Sequence, residues 1–164
     1  MFEPNNPTGR MSFLSSNDEI NVIDFLFDTH TPNQTIHVTE EGKRAIQKKI
    51  FGGTMTILGD KPLSERGNSS FTIHIESIGM KGLWIGVAEI EFDIRKIIGK
   101  DDSSWALHSN GKTYYDNNAQ QYSVDLKAKT TVTLTLKRAE GAIYFSIDGV
   151  DYGRAFMHPK LETA

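Results

Sequence analysis

Apolar and polar side chains alternate regularly over residues 132–156, which read VTLTLKRAEGAIYFSIDGVDYGRAF. Alternation with a period of two places one set of side chains on each face of a pleated strand. Two breaks, Glu140-Gly141 and Asp148-Gly149, are typical of turns, because Gly adopts positive φ freely and Asp tolerates it. The pattern therefore predicts a three-strand antiparallel meander with one apolar face that another part of the chain must cover.

Short apolar segments separated by turn residues precede the meander. Residues 20–27, INVIDFLF, are β-branched and aromatic and too few for a helix, so they predict a buried strand. Further strands are predicted at 35–39, 54–58, 71–75, 83–88, 105–108 and 113–115. Segment 43–51 allows either a helical turn or a strand followed by a loop, and its setting among glycines favours the strand. The Asn110-Gly111 pair predicts a hairpin turn.

The irregular stretches complete the predicted organisation. Residues 89–104 lack a clear pattern. The first of them are compatible with a continuation of the preceding strand, and the rest are predicted to form a loop. Residues 116–121 are polar and predict another loop, and 1–18 predict a flexible N-terminal lead-in. About ten to twelve short strands and no long helix predict an all-β fold, an antiparallel two-sheet β-sandwich of the jelly-roll kind. Residues 19–164 would form this single domain.

Composition narrows the class of protein. The 164 residues carry a net charge of −3 with scattered basic residues, which argues against nucleic acid as a partner. There is no cysteine, so disulfides are excluded and an intracellular, cytoplasmic location is expected. No apolar run approaches the roughly 20 residues of a membrane span, and the N-terminal residues do not resemble a secretory signal.

Motifs for catalysis and for metal or nucleotide binding are missing from the sequence. Neither G-x-S-x-G nor H-E-x-x-H occurs, and the five histidines, at 30, 37, 74, 108 and 158, do not have the spacing of metal ligands. Gly111-Lys112-Thr113 resembles the end of a phosphate-binding loop, but Ala106 stands where that loop needs a glycine. We therefore expect no cofactor, no metal and no enzymatic activity.

One group of acidic residues supports an alternative function. Glu89, Glu91 and Asp93 occupy alternate positions, so on a strand their carboxylates would share one face at intervals of about 6.6–7 Å. Retaining glycosidases use two carboxyl groups about 5–5.5 Å apart. The alternative is therefore a carbohydrate-binding or glycan-hydrolysing jelly roll. The competing interpretation is a solvated strand face with Ile90 and Phe92 turned inward.

Aromatic residues near the predicted loops are candidates for contact with a partner. Tyr114 and Tyr115 are adjacent, so a strand must point them to opposite faces, and one is expected on the outside. Trp105 and Tyr122 flank the same loops, and each fits either core packing or a binding surface.

Four segments in order resemble the SPRY domain family. They are Leu83-Trp84-Ile85-Gly86-Val87-Ala88; Ser104-Trp105-Ala106-Leu107 followed by Gly111 and Tyr114-Tyr115; 141–149, GAIYFSIDG; and Gly153-Arg154-Ala155-Phe156. The resemblance covers residues 35–156. It implies a bent two-sheet sandwich that binds protein or peptide without catalysis, through variable loops along one edge. Such domains occur in scaffold proteins and in ubiquitin-ligase substrate receptors.

The chain also departs from the family pattern in two places. Phe71-Thr72-Ile73 stands where the family often has Trp-Glu-Val. After Phe156 the family usually continues with further strands, so we expect either that 20–27 closes the sheet or that an edge stays open.

The longest polar loops that flank the Trp105 strand are predicted to bind the partner. We call residues 95–104 and 117–122, together with Tyr115, the binding rim. The predicted contact residues are Arg95, Lys100, Asp101, Asp102, Tyr115, Asn117, Asn118, Gln120 and Tyr122. Rigid strands that carry such loops present them with little ordering cost.

Overall fold

The computed structural model describes residues 20–30, 36–47 and 56–163. Across these ranges the chain forms eleven strands and one short helix. Their bounds are β1 Ile20–Val22, β2 Ile36–Thr39, β3 Arg44–Gln47, β4 Asn68–His74, β5 Trp84–Ala88, β6 Ser104–His108, β7 Lys112–Tyr115, β8 Asn118–Gln121, β9 Thr131–Lys137, β10 Ala142–Ile147, β11 Val150–Met157 and α1 Lys160–Thr163. The predicted lead-in at 1–18 lies outside the described residues.

The strands form two main sheets and a separate hairpin. One sheet has five strands in the order β1-β4-β9-β10-β11, and the other has four in the order β5-β6-β7-β8. Strands β2 and β3 pair only with each other. Every pair is antiparallel except β1 with β4, which is parallel.

The core lies between the facing apolar sides of the two main sheets. The five-stranded sheet contributes Phe71 and the alternating residues Val132, Leu134, Leu136, Ile143, Phe145 and Ile147, and the four-stranded sheet contributes Ile85, Trp105 and Leu107. Trp105, Val132 and Leu134 have no exposed surface. Burial of each such side chain stabilises the fold by about 1.5–3 kcal/mol. The predicted all-β two-sheet sandwich is thereby confirmed.

The meander at 132–156 forms as the alternation predicts. Asp148 and Gly149 have φ of 50° and 80°, and two central residues with positive φ characterise the type I′ turn that closes tight hairpins. The Asp148 carboxylate also accepts a hydrogen bond from the N–H of Thr131 at 2.7 Å, which ties the turn to β9. At the other turn Gly141 has φ of 55°, after a short 3-10 turn at Arg138–Glu140.

The pairing of β10 with β11 is interrupted by two bulges. Ile143 pairs with Phe156 but Tyr144 pairs with Arg154, so Ala155 is an extra residue. A second shift follows, because Ser146 pairs with Asp151. Tyr152 and Gly153 therefore both lie opposite Phe145. Each bulge bends the strand and increases its twist.

The segment at 20–27 differs from its prediction as one buried strand. Only 20–22 form a strand, all three residues are exposed, and β1 lies beside β4, at the opposite edge of the sheet from β11. Beyond it the backbone N–H groups of Leu26, Phe27 and Asp28 bond to three separate places: the Asp60 carboxylate, Gly42 O and Leu58 O. A segment whose partners change at each residue cannot form a ladder. In the part of the chain that the structure describes, the outer edge of β11 has no strand partner.

Other predicted elements need smaller corrections. The strand in 43–51 is confirmed at 44–47, and residues 48–51 lie outside the described ranges. Of the strand predicted at 54–58, residues 56–58 are irregular and the rest are not described. The Asn110-Gly111 hairpin forms with a three-residue connection, 109–111, in which Gly111 has φ of 74°.

The loop predicted at 116–121 is wrong, because residues 118–121 form β8 and pair with β7. Asp116 and Asn117 make the turn with φ of 46° and 60°, so this Asp-Asn pair acts as Asp-Gly does in the meander.

Helical structure in the described ranges is limited to short turns and the four residues of α1. No helix there is long and apolar enough to cross a membrane.

Candidate binding rim

Two predicted loops lie side by side at one end of the four-stranded sheet. The loop that connects β5 to β6 contacts the turn between β7 and β8, because the N–H of Asp116 donates to Asp101 O at 2.9 Å. The N–H of Asn117 donates to Gly99 O at 3.3 Å. Backbone hydrogen bonds thus hold the two parts of the binding rim together.

The β5–β6 connection folds back over the outer face of its own sheet. Phe92 and Ile98 are each 7% exposed and pack with the fully buried Ala106. Gly99 fits between them and β7 with φ of 83°, and a Cβ there would lie 2.9 Å from the carbonyl oxygen and the Cβ of Tyr114. Two apolar anchors and one glycine therefore position a loop whose remaining residues are polar.

Asp101 is the main polar organiser of this loop. Its Oδ1 accepts hydrogen bonds from the hydroxyls of Ser103 and Ser104 at 2.9 and 2.8 Å, and its Oδ2 pairs with Lys96 Nζ at 3.1 Å. Burial alone would raise the pKa of Asp101, but the hydrogen bonds from Ser104, Ser103 and Lys96 outweigh it and hold that pKa below its usual value. Asp101 therefore holds the loop together from within.

Lys100 presents a cation beside two aromatic rings. Its Nζ lies 4.7 Å from the centre of the Tyr114 ring and 5.4 Å from that of Trp84, and it donates to Asn117 Oδ1 at 3.1 Å. The side chain is exposed. Contacts of a cation with ring faces are worth about 0.5–1 kcal/mol at exposed sites.

Arg95 and Asp102 lie at the outside of the loop. The Arg95 guanidinium binds both Asp93 oxygens, each at 2.9 Å, and this hydrogen bonding lowers the pKa of Asp93 to about 2. The Arg95 side chain remains 82% exposed. Asp102 binds Lys160 of α1 at 3.2 Å, and the same Nζ reaches Glu89 at 3.2 Å.

The carboxylates of the carbohydrate alternative do not share a strand face. β5 ends at Ala88, and the N–H of Phe92 bonds to Glu89 O, so the chain turns at this point. Glu89 pairs with Lys160 and Asp93 with Arg95. The strand geometry assumed for that alternative is wrong. Among the described residues, no group of three or more His, Asp or Glu side chains is arranged to hold a metal ion.

Tyr115 and Tyr122, both predicted contact residues, point into the molecule. Tyr115 stacks on Trp105 with ring centres 5.2 Å apart, and its hydroxyl lies 3.1 Å from His158 Nε2. The Tyr122 hydroxyl donates to Gly153 O at 2.6 Å and accepts from the N–H of Phe145 at 3.2 Å. Both side chains are half-buried, while Asn118 and Gln120 are exposed on β8.

Neither Trp84 nor His108 is among the contact residues predicted from the sequence. The ring of Trp84 lies 4.5 Å from His108 and 4.6 Å from Tyr114, on the outer face of the four-stranded sheet. The sequence predicts that Tyr114 and Tyr115 lie on opposite faces, with one of them on the outside. The position of Trp84 and His108 beside Tyr114 depends on the cross-strand pairing of Trp84 with His108, which the sequence does not specify.

Comparison with known proteins places this architecture among the SPRY domains. The model of the SPRY domain family matches residues 69–163. The fold resembles the TRIM65 PSpry domain, with a TM-score of 0.64 and 15% sequence identity over 76% of this chain and 73% of that one. It also resembles stonustoxin, with a TM-score of 0.62 and 15% identity over 76% of this chain but only 21% of the stonustoxin chain. No curated protein matches the sequence.

The fold and the family match together define the class of protein, an all-β sandwich of the SPRY type. Because the family model spans more than half of its length, the chain belongs to the SPRY domain family, whose members are generally non-catalytic binding modules.

Proposed function

We propose that this chain is a non-catalytic module that binds another protein or a short peptide through the binding rim. In this proposal it acts as part of a larger scaffold or a ubiquitin-ligase-type assembly, inside the cell. In this proposal neither nucleic acid nor a membrane is the partner. The scattered basic residues of a chain of net charge −3 argue against nucleic acid.

The observation that carries the proposal is the joining of two loops into one surface. Asp116 and Asn117 are bonded through their backbones to Asp101 and Gly99, so the rim is ordered before any partner arrives. Binding to an ordered surface loses less conformational entropy than binding to free loops. The exposed side chains of Arg95, Lys100 and Asn117 supply hydrogen-bond donors and acceptors on it.

A peptide selection tests this proposal. The full chain would be immobilised and used to select from a phage-displayed library of short random peptides, and the selected peptides would be measured by fluorescence polarisation. A variant that combines Arg95→Ala, Asn118→Ala and Gln120→Ala should bind the selected peptides at least about tenfold more weakly. Each of these substitutions removes a polar contact at the rim. The melting temperature should fall only slightly, since all three side chains are exposed and a surface ion pair such as Arg95 with Asp93 adds little stability.

A matched control carries its substitutions on the five-stranded sheet. Thr72→Ala, His74→Ala and Arg154→Ala also remove two polar groups and one arginine from exposed positions. We expect this variant to bind the selected peptides like the original chain. Failure to select any peptide, or equal loss in both variants, would contradict the proposed function.

A further inference from the structure

The outer face of the four-stranded sheet combines aromatic and basic side chains. Strand alternation and the pairings Trp84 with His108, Tyr114 with Ala119 and Lys112 with Gln121 place these residues on one face. The residues of that face are Trp84, Gly86, Ala88, Ser104, Ala106, His108, Lys112, Tyr114, Ala119 and Gln121. None of them is acidic, although the chain carries 21 acidic and 18 basic residues. The β5–β6 loop covers the part of this face at Ala88, Ser104 and Ala106. The part that remains open, with Lys100 added from that loop, is the basic-aromatic face.

The two lysines of this face differ from the other lysines near the rim. Lys96 and Lys160 each bind a carboxylate, Asp101 and Asp102 respectively. Lys100 binds only the amide oxygen of Asn117 and two ring faces, and Lys112 is exposed; within the described ranges neither forms an ion pair. An ammonium group has three donors, so Lys100 retains donors for an incoming acceptor.

The rings beside Lys100 provide an apolar surface. Trp84 lies between His108 and Tyr114, and all three rings are half-buried, so each keeps part of its surface in contact with solvent. An aromatic platform next to a cation without a carboxylate partner matches a ligand that carries an acidic group next to an apolar one.

We propose that the basic-aromatic face binds a short acidic segment of a partner protein. An Asp or Glu carboxylate of that segment accepts a hydrogen bond from Lys100 Nζ, a second one faces Lys112, and a neighbouring apolar side chain lies on Trp84. This inference rests on the proposed function and adds the chemistry of the partner.

The positive charge of this face and the small number of its lysines favour an acidic peptide over a basic peptide or a nucleic acid. A basic segment would have to displace Lys100 from the Trp84 and Tyr114 rings and would face Lys112 in addition. A nucleic acid needs several phosphate contacts to bind well at physiological salt, and this face offers two lysines. Salt weakens attraction between exposed charges, so binding to this face is expected to fall as ionic strength rises.

The test uses the peptides that the full chain selects from the random library at low salt. We expect Asp and Glu to be over-represented, next to a leucine or an aromatic residue. Lys100→Gln should weaken the best acidic peptide about tenfold and Lys112→Gln severalfold, as expected for loss of one charged contact. Lys43→Gln removes the same charge from the exposed connection between β2 and β3, outside the four-stranded sheet, and should leave affinity unchanged.

Fluorescence gives a second measurement. The chain has two tryptophans, and Trp105 is fully buried while Trp84 is part of the proposed face. The acidic peptide should therefore change the emission of the original chain, and Trp84→Phe should remove that change.

The possible results separate this inference from the proposed function. Selected peptides without an acidic excess, or acidic peptides that Lys100→Gln and Lys43→Gln affect equally, would overturn the inference and leave peptide binding intact. A single-stranded oligonucleotide that binds as tightly as the acidic peptide would also overturn it. If no peptide is selected, both proposals fail together.

Discussion

The hydroxyl group of Tyr122 has a structural role, although Tyr122 is one of the residues predicted to contact a partner. The hydroxyl bridges Gly153 O of β11 and the N–H of Phe145 of β10, so it joins the chain after β8 to the meander. Burial raises the pKa of Tyr122 to about 12. The contribution of Tyr122 to a partner surface stays a prediction, whereas its role between the sheets is visible in these bonds.

Replacement of Tyr122 by Phe should destabilise the protein by about 1–2 kcal/mol, because two backbone groups lose their partner. Urea denaturation followed by circular dichroism would measure the change in the free energy of unfolding. Tyr152→Phe is a suitable control, since Tyr152 is also half-buried and its ring lies 6.1 Å from that of Tyr122. Equal effects of the two substitutions would show that the Tyr122 hydroxyl has no special structural role.

At the scale of residues, the positions of some side chains could be predicted from the sequence, and those of others could not. Val132, Leu134 and Leu136 were assignable to the core because alternation alone fixes their face. Trp84, Lys100 and Tyr114 come together only when two strands and a returning loop are aligned, and no local pattern encodes that alignment. The core was therefore predictable, and the aromatic part of the candidate site was not.

At the scale of elements, the β5–β6 loop depends on Asp101. The carboxylate receives hydrogen bonds from Ser103, Ser104 and Lys96, and the Asp101 carbonyl receives one from the β7–β8 turn. Such a network keeps a long connection in one conformation.

The variant Asp101→Ala should loosen this loop and leave the sheets folded. We expect faster amide hydrogen exchange in 95–104 and at 116–117, because the side-chain bonds that hold the loop are gone. Exchange in β9 and β10, which belong to the other main sheet, should not change. Asp125→Ala, at an exposed residue outside the network, is the control. Unchanged exchange in the loop would contradict the role assigned to Asp101.

Strands could be predicted from the sequence where a glycine marked the turn beside them. Asp148-Gly149 marked its hairpin, but Asp116-Asn117 makes the same kind of turn without a glycine, and β8 was taken for loop. Residues 20–27 have the composition of a buried strand, yet the backbone of 26–28 bonds to three different places. Tertiary partners decide such cases, and the local sequence does not show them.

For the whole molecule, acid is expected to weaken the fold. Hydrogen bonds from Arg95 lower the pKa of Asp93, and those from Tyr144 and Lys137 lower that of Glu140. The pKa of Asp101 is also below its usual value, for the reasons given above. A carboxyl whose pKa is lower in the folded state stabilises the protein above its unfolded pKa, and this contribution is lost as pH falls through the folded value.

The melting temperature should therefore be steady from about pH 7 to 5 and fall below about pH 4. Differential scanning calorimetry across this range would measure it. In Asp101→Asn the fall should be smaller, because one of the titrating groups is absent. A melting temperature that rises on acidification would contradict this account.

The two bulges of β11 have a consequence for how copies of this protein behave in concentrated solution. An unpaired strand edge is a template on which further chains can add and grow into fibrils. Here Ala155 and the Tyr152-Gly153 pair shift the register twice within eight residues, so amide and carbonyl groups do not form the straight row that a stacking neighbour needs. We therefore expect the kinked edge of β11 to resist polymerisation by the addition of further strands.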